Sequence, residues 1–354
     1  MEDASRETQF SNLDDIIQSC PKNTVIVNNI IKAYHKINSD IYKKIACAIS
    51  GGADSDIMLD ICHKCDNNNK INYVWCDTGL EYQATKDHLK YLEKKYDIEI
   101  KVNKAPKPIP IICHKYGQPF LSKAVSEYIL RLQKHNFDFK DGTFDELITK
   151  YPNCKIALQW WCNEAGESSR FNIRQNKWLK EFMITNPPTF KISNKCCAYT
   201  KKDIMKKYLE ENNIDLNITG IRKAEGGARA VAYKSCFDDN VDKYDNYRPL
   251  FWYKDSDKSE YEEKHGIVHS KCYSEYGLKR TGCAGCPFGR DFEQELEAIK
   301  KFEPKLFKAV NSIFGDSYEY TRKYKKFCKE MDKKYGSYTA YLDKMAKTNK
   351  EEDE

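Results

Sequence analysis

Apolar residues recur along the chain in two alternating patterns, short apolar runs and longer segments with helical spacing. The runs Ile45–Ile49, 71–76 and 98–102 each predict a buried strand. Segments with helical spacing follow the first two runs, and a further strand is predicted at Leu216–Thr219. Strand–helix–strand alternation at these distances is typical of a parallel sheet with helices on both faces. The pattern therefore predicts an α/β fold.

Helical spacing dominates both ends of the chain. Residues 10–38 predict two helices separated by Pro21, and residues from 291 onward are helical in pattern. Between them, the three prolines within 106–110 exclude a helix there, and a helix is predicted over 123–135. We therefore expect three divisions. They are a helical lead-in over 1–40, an α/β domain over 41–290 and a helical region over 291–354.

The stretch Ser-Gly-Gly-Ala-Asp-Ser at 50–55 lies where the first predicted strand gives way to a helix. The first turn of a helix has free N–H groups and the positive end of the helix dipole. Gly51 and Gly52 let the backbone approach an anion closely, and Ser50 and Ser55 add hydroxyl donors. The stretch lacks the Lys-Ser/Thr pair of a Walker A loop. It predicts a phosphate or sulfate site, with a Gly-Gly turn capped by serine as the alternative.

The composition narrows the class of protein. The chain has 354 residues, of which 40% are hydrophobic and 32% charged, and it carries a net charge of +6. This is a globular composition with a core of ordinary size, and the mild positive charge suits an anionic substrate without indicating nucleic acid. There is no apolar run long enough to span a bilayer and no signal pattern at the N-terminus, so we expect a cytoplasmic protein without membrane contact.

Fifteen cysteines, an odd number without a secretion signal, favour metal or redox chemistry over a disulfide framework. Cys196 and Cys197 are adjacent, and Cys283 and Cys286 form a C-x-x-C pair. Together they offer the four thiolates of a [4Fe–4S] cluster, and zinc is the alternative, with Cys272 as a weaker candidate ligand. The second C-x-x-C, at 62–65, lies on the helix after residue 55, where a core role is favoured.

Several further motifs, in order with residues 50–55, resemble the phosphoadenylyl-sulfate (PAPS) reductase family. They are Trp-Cys-Asp-Thr-Gly at 75–79, Thr-Gly-Ile-Arg-Lys at 219–223 with Arg-Ala at 229–230, Pro-Leu-Phe-Trp at 249–252, and Gly-Leu-Lys-Arg-Thr-Gly-Cys at 277–283. The stretch at 50–55 is similar to the PP-loop of the adenine-nucleotide α-hydrolase-like proteins. The resemblance covers roughly residues 40–290. It implies a Rossmann-like parallel sheet that binds an adenosine nucleotide.

The resemblance also implies roles for residues. Those expected at the nucleotide (ATP, adenylyl sulfate or PAPS) are Ser50, Gly51, Gly52, Asp54, Ser55, Asp77, Thr78, Gly79, Gly220, Arg222, Lys223 and Arg229. Arg222, Lys223 and Arg229 would neutralise phosphate or sulfate. Asp54 would cap the helix, orient the loop or contact Mg²⁺. Asp77 would contact ribose or metal, or form an Asx turn. The resemblance further implies that Lys201 lies near the cluster and substrate, and that cysteines 196, 197, 283 and 286 bind the cluster.

One departure from the family pattern concerns the nucleophilic cysteine of the reductases, which lies in a C-terminal Glu-Cys-Gly segment. Cys328 is the cysteine in the corresponding region, but its sequence context is helical. Two enzyme reactions therefore remain open, reduction of a sulfonucleotide with a thioredoxin-like reductant and ATP-dependent sulfur transfer with a sulfur-donor protein. Nucleic acid is a partner only under the second. A non-catalytic nucleotide or iron–sulfur regulatory module is the alternative from another class.

Overall fold

The computed structural model describes residues 12–166, 169, 171–226, 232–239 and 243–342. The chain divides into two compact units, each made of three stretches. Unit 1 contains Met1–Pro108, Tyr199–Ala284 and Gln294–Leu306, and unit 2 contains Ile109–Ala198, Gly285–Glu293 and Phe307–Glu354. The sequence predicts three consecutive regions, with boundaries at residues 40 and 290. The two units are not consecutive stretches, because each takes residues from the middle and the C-terminal part of the chain.

Unit 1 is an α/β structure. Its strands are β1 (Ile45–Ile49), β2 (Ile71–Asp77), β3 (Ile100–Lys104), β4 (Leu216–Thr219), β5 (Phe237–Asp238) and β6 (Asp245–Tyr247). Its helices are α1 (Leu13–Ser19), α2 (Thr24–Asn38), α3 (Ala53–Cys65), α4 (Gln83–Tyr96), α11 (Asp203–Glu211), α12 (Asp255–His265) and α13 (Lys271–Ser274). The helices that lie between α4 and α11 in the chain belong to unit 2.

The sheet of unit 1 has the strand order β3-β2-β1-β4-β6-β5. All neighbouring pairs are parallel except β5 and β6, and Ile45 of β1 lies between Ile71 of β2 and Leu216 of β4. Because the strand order reverses direction at β1, the carboxyl ends of β1, β2 and β4 surround a topological switch point, where ligands of open α/β sheets bind. The predicted Rossmann-like parallel sheet is confirmed.

The core of unit 1 explains why the apolar runs form strands. Ile45, Cys47 and Ile49 of β1 are buried with Ile57 and Ile61 of α3 in one apolar cluster. Residues that face both sides of a sheet covered by helices must be apolar throughout, so β1 has no polar alternation. Cys62 and Cys65 also belong to this cluster, which confirms the core role predicted for the C-x-x-C at 62–65.

Unit 2 is helical. Its helices are α5 (Ile109–Tyr116), α6 (Lys123–Lys134), α7 (Phe144–Lys150), α8 (Lys155–Trp161), α9 (Leu179–Thr185) and α10 (Lys195–Cys197). A π-helical segment, Ala198–Lys202, follows α10, and α14 (Phe292–Phe302) and α15 (Pro304–Tyr335) each contribute residues to both units. The unit 2 core is rich in aromatic side chains, among them Phe120, Trp160, Trp161, Phe182 and Tyr320.

Most predicted elements form near their predicted bounds, with one correction. The prediction of no helix over 106–110 is wrong at its end, because α5 begins at Ile109 and includes Pro110. A proline in the first turn of a helix loses no hydrogen bond, since the first N–H groups have no partner within the helix. Among the described residues, none of the helices combines the length and apolar character that crossing a membrane requires.

Candidate functional site

The loop at residues 50–55 joins β1 to α3, as the sequence predicts, and its role as an anion site stays a prediction. Gly51 has a φ of 68°, a backbone conformation that residues with a Cβ rarely adopt, and a Cβ there would lie 2.8 Å from Cγ2 of Thr85. The two serines stabilise the turn, since the N–H of Ser50 donates to Oγ of Ser55 at 2.9 Å and that of Gly52 to Oγ of Ser50 at 3.3 Å. The serine hydroxyls thus stabilise the loop itself, by accepting hydrogen bonds from its N–H groups.

Tyr273 supplies an oxygen atom at the start of α3. The N–H of Ala53, the first residue of that helix, donates to the Tyr273 hydroxyl at 3.0 Å. Tyr273 also bonds the Thr281 side chain, and a Cβ on Gly52 would lie 3.0 Å from Oγ1 of Thr281 and 3.4 Å from the Tyr273 hydroxyl. The helix N-terminus therefore already holds an oxygen where an anion would bind. No pattern in the sequence indicated Tyr273, because a lone tyrosine usually belongs to a core.

Asp54 is held by two cations. Nε of Arg222 donates to Oδ2 of Asp54 at 2.9 Å, and Nζ of Lys258 lies 3.1 Å from Oδ1. Arg222 also donates from Nη1 to Asp255 at 2.9 Å. Gly52, and not Asp54, is the N-cap of α3, so the capping role expected for Asp54 is absent. A carboxylate that already pairs with two cations favours the loop-orienting role over the Mg²⁺ contact.

Arg222 is buried, and its guanidinium group forms ion pairs with the carboxylates of Asp54 and Asp255. Its expected contact with phosphate or sulfate stays a prediction. Lys223 is exposed and lies over the Trp252 ring, with Nζ 5.4 Å from the ring centroid. Gly220 lies against the start of α3, since a Cβ there would be 3.2 Å from the carbonyl oxygen of Asp54. Arg229 lies outside the described residues.

The end of β2 forms a tight turn. The N–H of Gly79 donates to Oδ1 of Asp77 at 2.9 Å, which is the Asx turn considered for Asp77. Gly79 has a φ of 78°, and a Cβ there would lie 2.5 Å from Cβ of Pro108, so glycine is required. Thr78 is buried and donates to Oε1 of Glu81 at 2.7 Å. Asp77 thus has a structural role, and its expected ribose or metal contact stays a prediction.

Glu81, Lys201, Cys76 and Cys283 surround Thr78 at this end of β2. Sγ of Cys283 lies 3.6 Å from Oγ1 of Thr78, and Cys283 pairs with Glu81 in an isolated antiparallel bridge. Burial raises the pKa of Glu81, against the opposing effect of the Lys201 charge. Burial likewise raises the pKa of Cys76 to about 11, and Lys201 opposes this as well. Lys201 therefore faces two acidic groups, the buried Glu81 and the partly buried Cys76, beside the candidate residues Asp77 and Thr78, and no motif indicated Glu81.

A second network of charged side chains forms around Asp56 of α3. His269 contacts Oδ2 of Asp56 through Nδ1 at 2.7 Å and Oε1 of Glu262 through Nε2 at 2.8 Å. Nε2 of His88 lies 3.0 Å from the other Asp56 oxygen. Burial alone would lower the pKa of His269, but the bonds to Asp56 and Glu262 outweigh burial and raise it to about 9. These contacts hold α3 through its residue Asp56.

In unit 2, four cysteines are neighbours. The Cys196 side chain is hydrogen-bonded with those of Cys113 and Cys197, and Cys286 lies close enough to influence it electrostatically. The bond with Cys113 and burial raise the pKa of the Cys196 thiol, whereas the bond with Cys197 lowers it. Cys113 was not predicted, because its apolar neighbours Ile111 and Ile112 indicate a core position.

These thiols do not form a closed ligand set. Across the part of the chain that the structure describes, no three His, Cys, Asp or Glu side chains are arranged to hold a metal ion. All fifteen cysteines lie within that part, and none of them forms a disulfide there. The donor chemistry nevertheless fits the expected group, since Cys196 has thiol neighbours and thiolates are the ligands that iron–sulfur and zinc centres take.

Cys272 and Cys328 have other surroundings. Cys272 is fully buried in unit 1, with Sγ 3.6 Å from Oγ1 of Thr85. Cys328 lies within α15, and its thiol donates to the carbonyl oxygen of Lys177 at 3.5 Å. Burial raises the pKa of Cys328, which lowers the thiolate fraction that a nucleophile requires.

Comparison with known proteins identifies relatives of this chain. A family model described as "Phosphoadenosine phosphosulfate reductase domain" matches residues 44–123 and 120–288. Two uncharacterized proteins of Methanocaldococcus jannaschii are 24% identical over 289 residues and 23% identical over 282 residues. These alignments cover 81% and 79% of this chain but 44% and 49% of the relatives. The chain thus spans about half the length of the curated relatives it matches.

Solved structures with a similar fold share little sequence with it. A PAPS reductase from Candida auris in a phosphate complex has a TM-score of 0.40 and 10% identity, over 79% of this chain and 97% of the other. The U34-tRNA thiolase NcsA from Methanococcus maripaludis with its [4Fe-4S] cluster has a TM-score of 0.36 and 12% identity, over 84% and 79%. Similarities this weak support no functional assignment.

Proposed function

The chain belongs to the phosphoadenosine phosphosulfate reductase domain family, and on that premise we propose that it binds an adenosine nucleotide at residues 50–55 and catalyses sulfur transfer. The observation that carries the proposal is the hydrogen bond at the start of α3, where the N–H of Ala53 donates to the Tyr273 hydroxyl oxygen. A phosphate oxygen has the same acceptor chemistry and adds the negative charge that a helix N-terminus favours.

The reaction that we propose is ATP-dependent sulfur transfer. ATP would transfer its adenylyl group to an acceptor and release pyrophosphate, and a sulfur nucleophile would then displace AMP from the acceptor. The surroundings of Cys328 favour this reaction over reduction, because a reductase needs a reactive thiolate to attack the sulfonucleotide. A nucleic acid is the acceptor class that thiolation implies, and a sulfur-donor protein would be its partner.

Lys201 is the residue that we propose to act on the substrate. It lies close enough to Glu81 and Cys76 to influence the pKa of both, at the carboxyl end of β2. A cation there would stabilise negative charge on phosphate oxygens as the leaving group departs. Cys196, Cys197, Cys283 and Cys286 would hold a [4Fe–4S] cluster, with zinc as the alternative. When bound, an iron–sulfur cluster would supply sulfur-ligation or electron-transfer chemistry.

Reduction of adenylyl sulfate or PAPS is the second candidate function, and the family description favours it. The two reactions differ in what they release. Sulfur transfer would consume ATP and release pyrophosphate, whereas reduction would release sulfite and adenosine phosphate and would require a thioredoxin-like reductant. Neither product would form if the protein were a regulatory nucleotide-binding module.

The experiment that tests the proposal begins with anaerobic purification. Binding of ATP, adenylyl sulfate, PAPS and adenosine is then measured by calorimetry for the wild type and for Gly51→Ala. We expect the variant to lose phosphate-dependent affinity at least tenfold, because the new Cβ would force the loop away from Thr85. Gly266→Ala is the matched control, since Gly266 also has a positive φ, 57°, but no atom within 4 Å of the added Cβ.

Equal affinities of the wild type and Gly51→Ala would contradict the assignment of residues 50–55 to the nucleotide. Pyrophosphate release from ATP and sulfite release from the sulfonucleotides then separate the two reactions. Tight nucleotide binding with no turnover of any of the three nucleotides would instead support the regulatory module.

A further inference from the structure

Lys258 is a cation beside the loop at residues 50–55 that neither the motifs nor the family resemblance assigns to the site. It lies in α12, and its Nζ is 3.1 Å from Oδ1 of Asp54, the second residue of α3. The loop itself contains no lysine, arginine or histidine. Its N–H groups can stabilise an anion only through their dipoles, so a full positive charge has to come from another element.

The ammonium group of Lys258 is held by charge and not by hydrogen bonds. Among the residues that the structure describes, Oδ1 of Asp54 accepts no hydrogen bond, although Nζ lies within ion-pair distance. The carboxylate of Glu262 is 3.6 Å from Nζ, which is longer than a charge-assisted hydrogen bond. An ammonium group has three N–H donors, and 20% of the Lys258 side chain is exposed. These donors can therefore reach an acceptor at the start of α3.

Both carboxylates beside Lys258 have a second partner that stays in place if the ammonium group moves to a ligand. Oδ2 of Asp54 accepts from Nε of Arg222 at 2.9 Å, and Oε1 of Glu262 lies 2.8 Å from Nε2 of His269. Arg222 lacks this freedom, because it is buried and forms two ion pairs. Removing the last cation from a buried carboxylate is strongly destabilising, and a movement of Lys258 does not do this.

We propose that Lys258 binds a phosphate oxygen of the nucleotide at residues 50–55, and that its ammonium group leaves Asp54 for the phosphate when the nucleotide binds. This inference rests on the proposed function, since it places the nucleotide at that loop. Lysine binds phosphate as a point charge on a flexible four-carbon chain, which suits a short movement. Lys258 thus neutralises phosphate charge that the N–H groups of the loop stabilise only through their dipoles.

The test measures by calorimetry how anaerobically purified wild type, Lys258→Met and Lys258→Arg bind ATP, inorganic pyrophosphate and adenosine. We expect Lys258→Met to bind ATP and pyrophosphate about tenfold more weakly, because one charge-assisted hydrogen bond is lost. Its affinity for adenosine should equal that of the wild type, which also shows that the site is folded. Lys258→Arg keeps the charge and should retain most of the affinity. Lys264→Met is the matched control, since Lys264 is an exposed lysine of the same helix, and its three affinities should be unchanged.

A double-mutant cycle with Asp54→Asn separates a direct phosphate contact from a role in holding the loop. Asp54→Asn leaves Asp255 as an ion-pair partner of Arg222. If Lys258 acted only through Asp54, Lys258→Met would have no further effect in the Asp54→Asn background. We expect the loss of ATP affinity to persist there.

Disappearance of the loss in the Asp54→Asn background would overturn the proposal, and so would equal ATP affinities of the wild type and Lys258→Met. Both results would leave the nucleotide at residues 50–55. A wild type that binds ATP no more tightly than adenosine, and does not bind pyrophosphate, would overturn the proposed function and the role of Lys258 together.

Discussion

Nε of Arg222 donates to Oδ2 of Asp54 at 2.9 Å, and this bond joins the loop after β4 to the first turn of α3. The two residues lie 168 positions apart in the sequence. Asp54 belongs to the candidate PP-loop and Arg222 to the Gly-Ile-Arg motif, so the bond connects two of the motifs through which the family resemblance was identified. Each motif residue was expected to contact the nucleotide. The structure gives them a common role in holding the loop.

Removal of the Arg222 side chain should therefore destabilise unit 1. We expect Arg222→Met to lower the free energy of unfolding by about 3 kcal/mol, because it leaves a partly buried carboxylate without one of its cations. The loss of stability is limited because Lys258 still pairs with Asp54. Urea unfolding measures the effect, and the exposed neighbour Lys223→Met should stay within about 0.5 kcal/mol of the wild type. Equal losses in the two variants would contradict the role of the ion pair.

Tyr273 gives a second prediction, because its hydroxyl occupies the N–H of Ala53 that a phosphate would need. Tyr273→Phe removes the hydroxyl and keeps the ring. We expect adenosine phosphates to bind about fivefold more tightly, since a neutral hydrogen bond of about 1 kcal/mol no longer has to be broken. Calorimetry measures the affinity. Tyr276→Phe is the control, because the Tyr276 hydroxyl donates to Glu303 instead. Weaker binding to Tyr273→Phe would show that the hydroxyl contacts the nucleotide.

The sequence predicted the fold well where local pattern and tertiary structure agree. The run Ile45–Ile49 is apolar at every position because both faces of β1 are covered, so its strand was predicted at its observed bounds. Gly51 was predicted where a strand gives way to a helix, and its positive φ is a local property that glycine tolerates, whereas Gly79 was expected at the nucleotide and not as a turn residue. The start of α5 was missed, since a rule against proline within helices does not apply to the first turn.

The candidate site could be predicted only in part, because its remaining residues act through contacts made by folding. Glu81, Tyr273 and Cys113 lie near predicted residues in space, but no spacing in the sequence indicates this. The same limit applies to the ion-pair partners of a charged residue. Arg222 was expected at an anion because arginine suits phosphate, and sequence alone could not show that Asp54 and Asp255 lie beside it.

Cys328 tests the nucleophile that the reductase alternative requires. Cys328→Ser should retain most activity, whichever reaction proves correct, because the thiol lies within α15 and burial raises its pKa. Cys286→Ser should lose the iron–sulfur absorption and the activity together. Pyrophosphate and sulfite release are the measurements. A Cys328→Ser protein that binds PAPS but releases no sulfite, where the wild type does, would restore the reductase mechanism with Cys328 as nucleophile.

The last prediction concerns pH and the contacts of His269 with Asp56 and Glu262. The pKa of His269 is about 9 in the folded protein, against an ordinary value of 6.5. Because the folded state binds this proton more tightly than the unfolded state, protonated His269 stabilises the fold fully below pH 6.5. This contribution falls as the pH rises from 6.5 towards 9. Stability should therefore decrease over that interval.

The variant His269→Gln isolates this contribution, because all other titrating groups are shared with the wild type. We expect the difference in unfolding free energy between the wild type and His269→Gln to be largest at pH 6 and to shrink steadily up to pH 9.5. Urea unfolding in the presence of reductant at each pH measures it. His35→Gln is the control, since the side chain of His35 is exposed and packs edge-on against Tyr34. A difference for His269→Gln that stays constant over this range would mean that His269 is neutral between its two carboxylates.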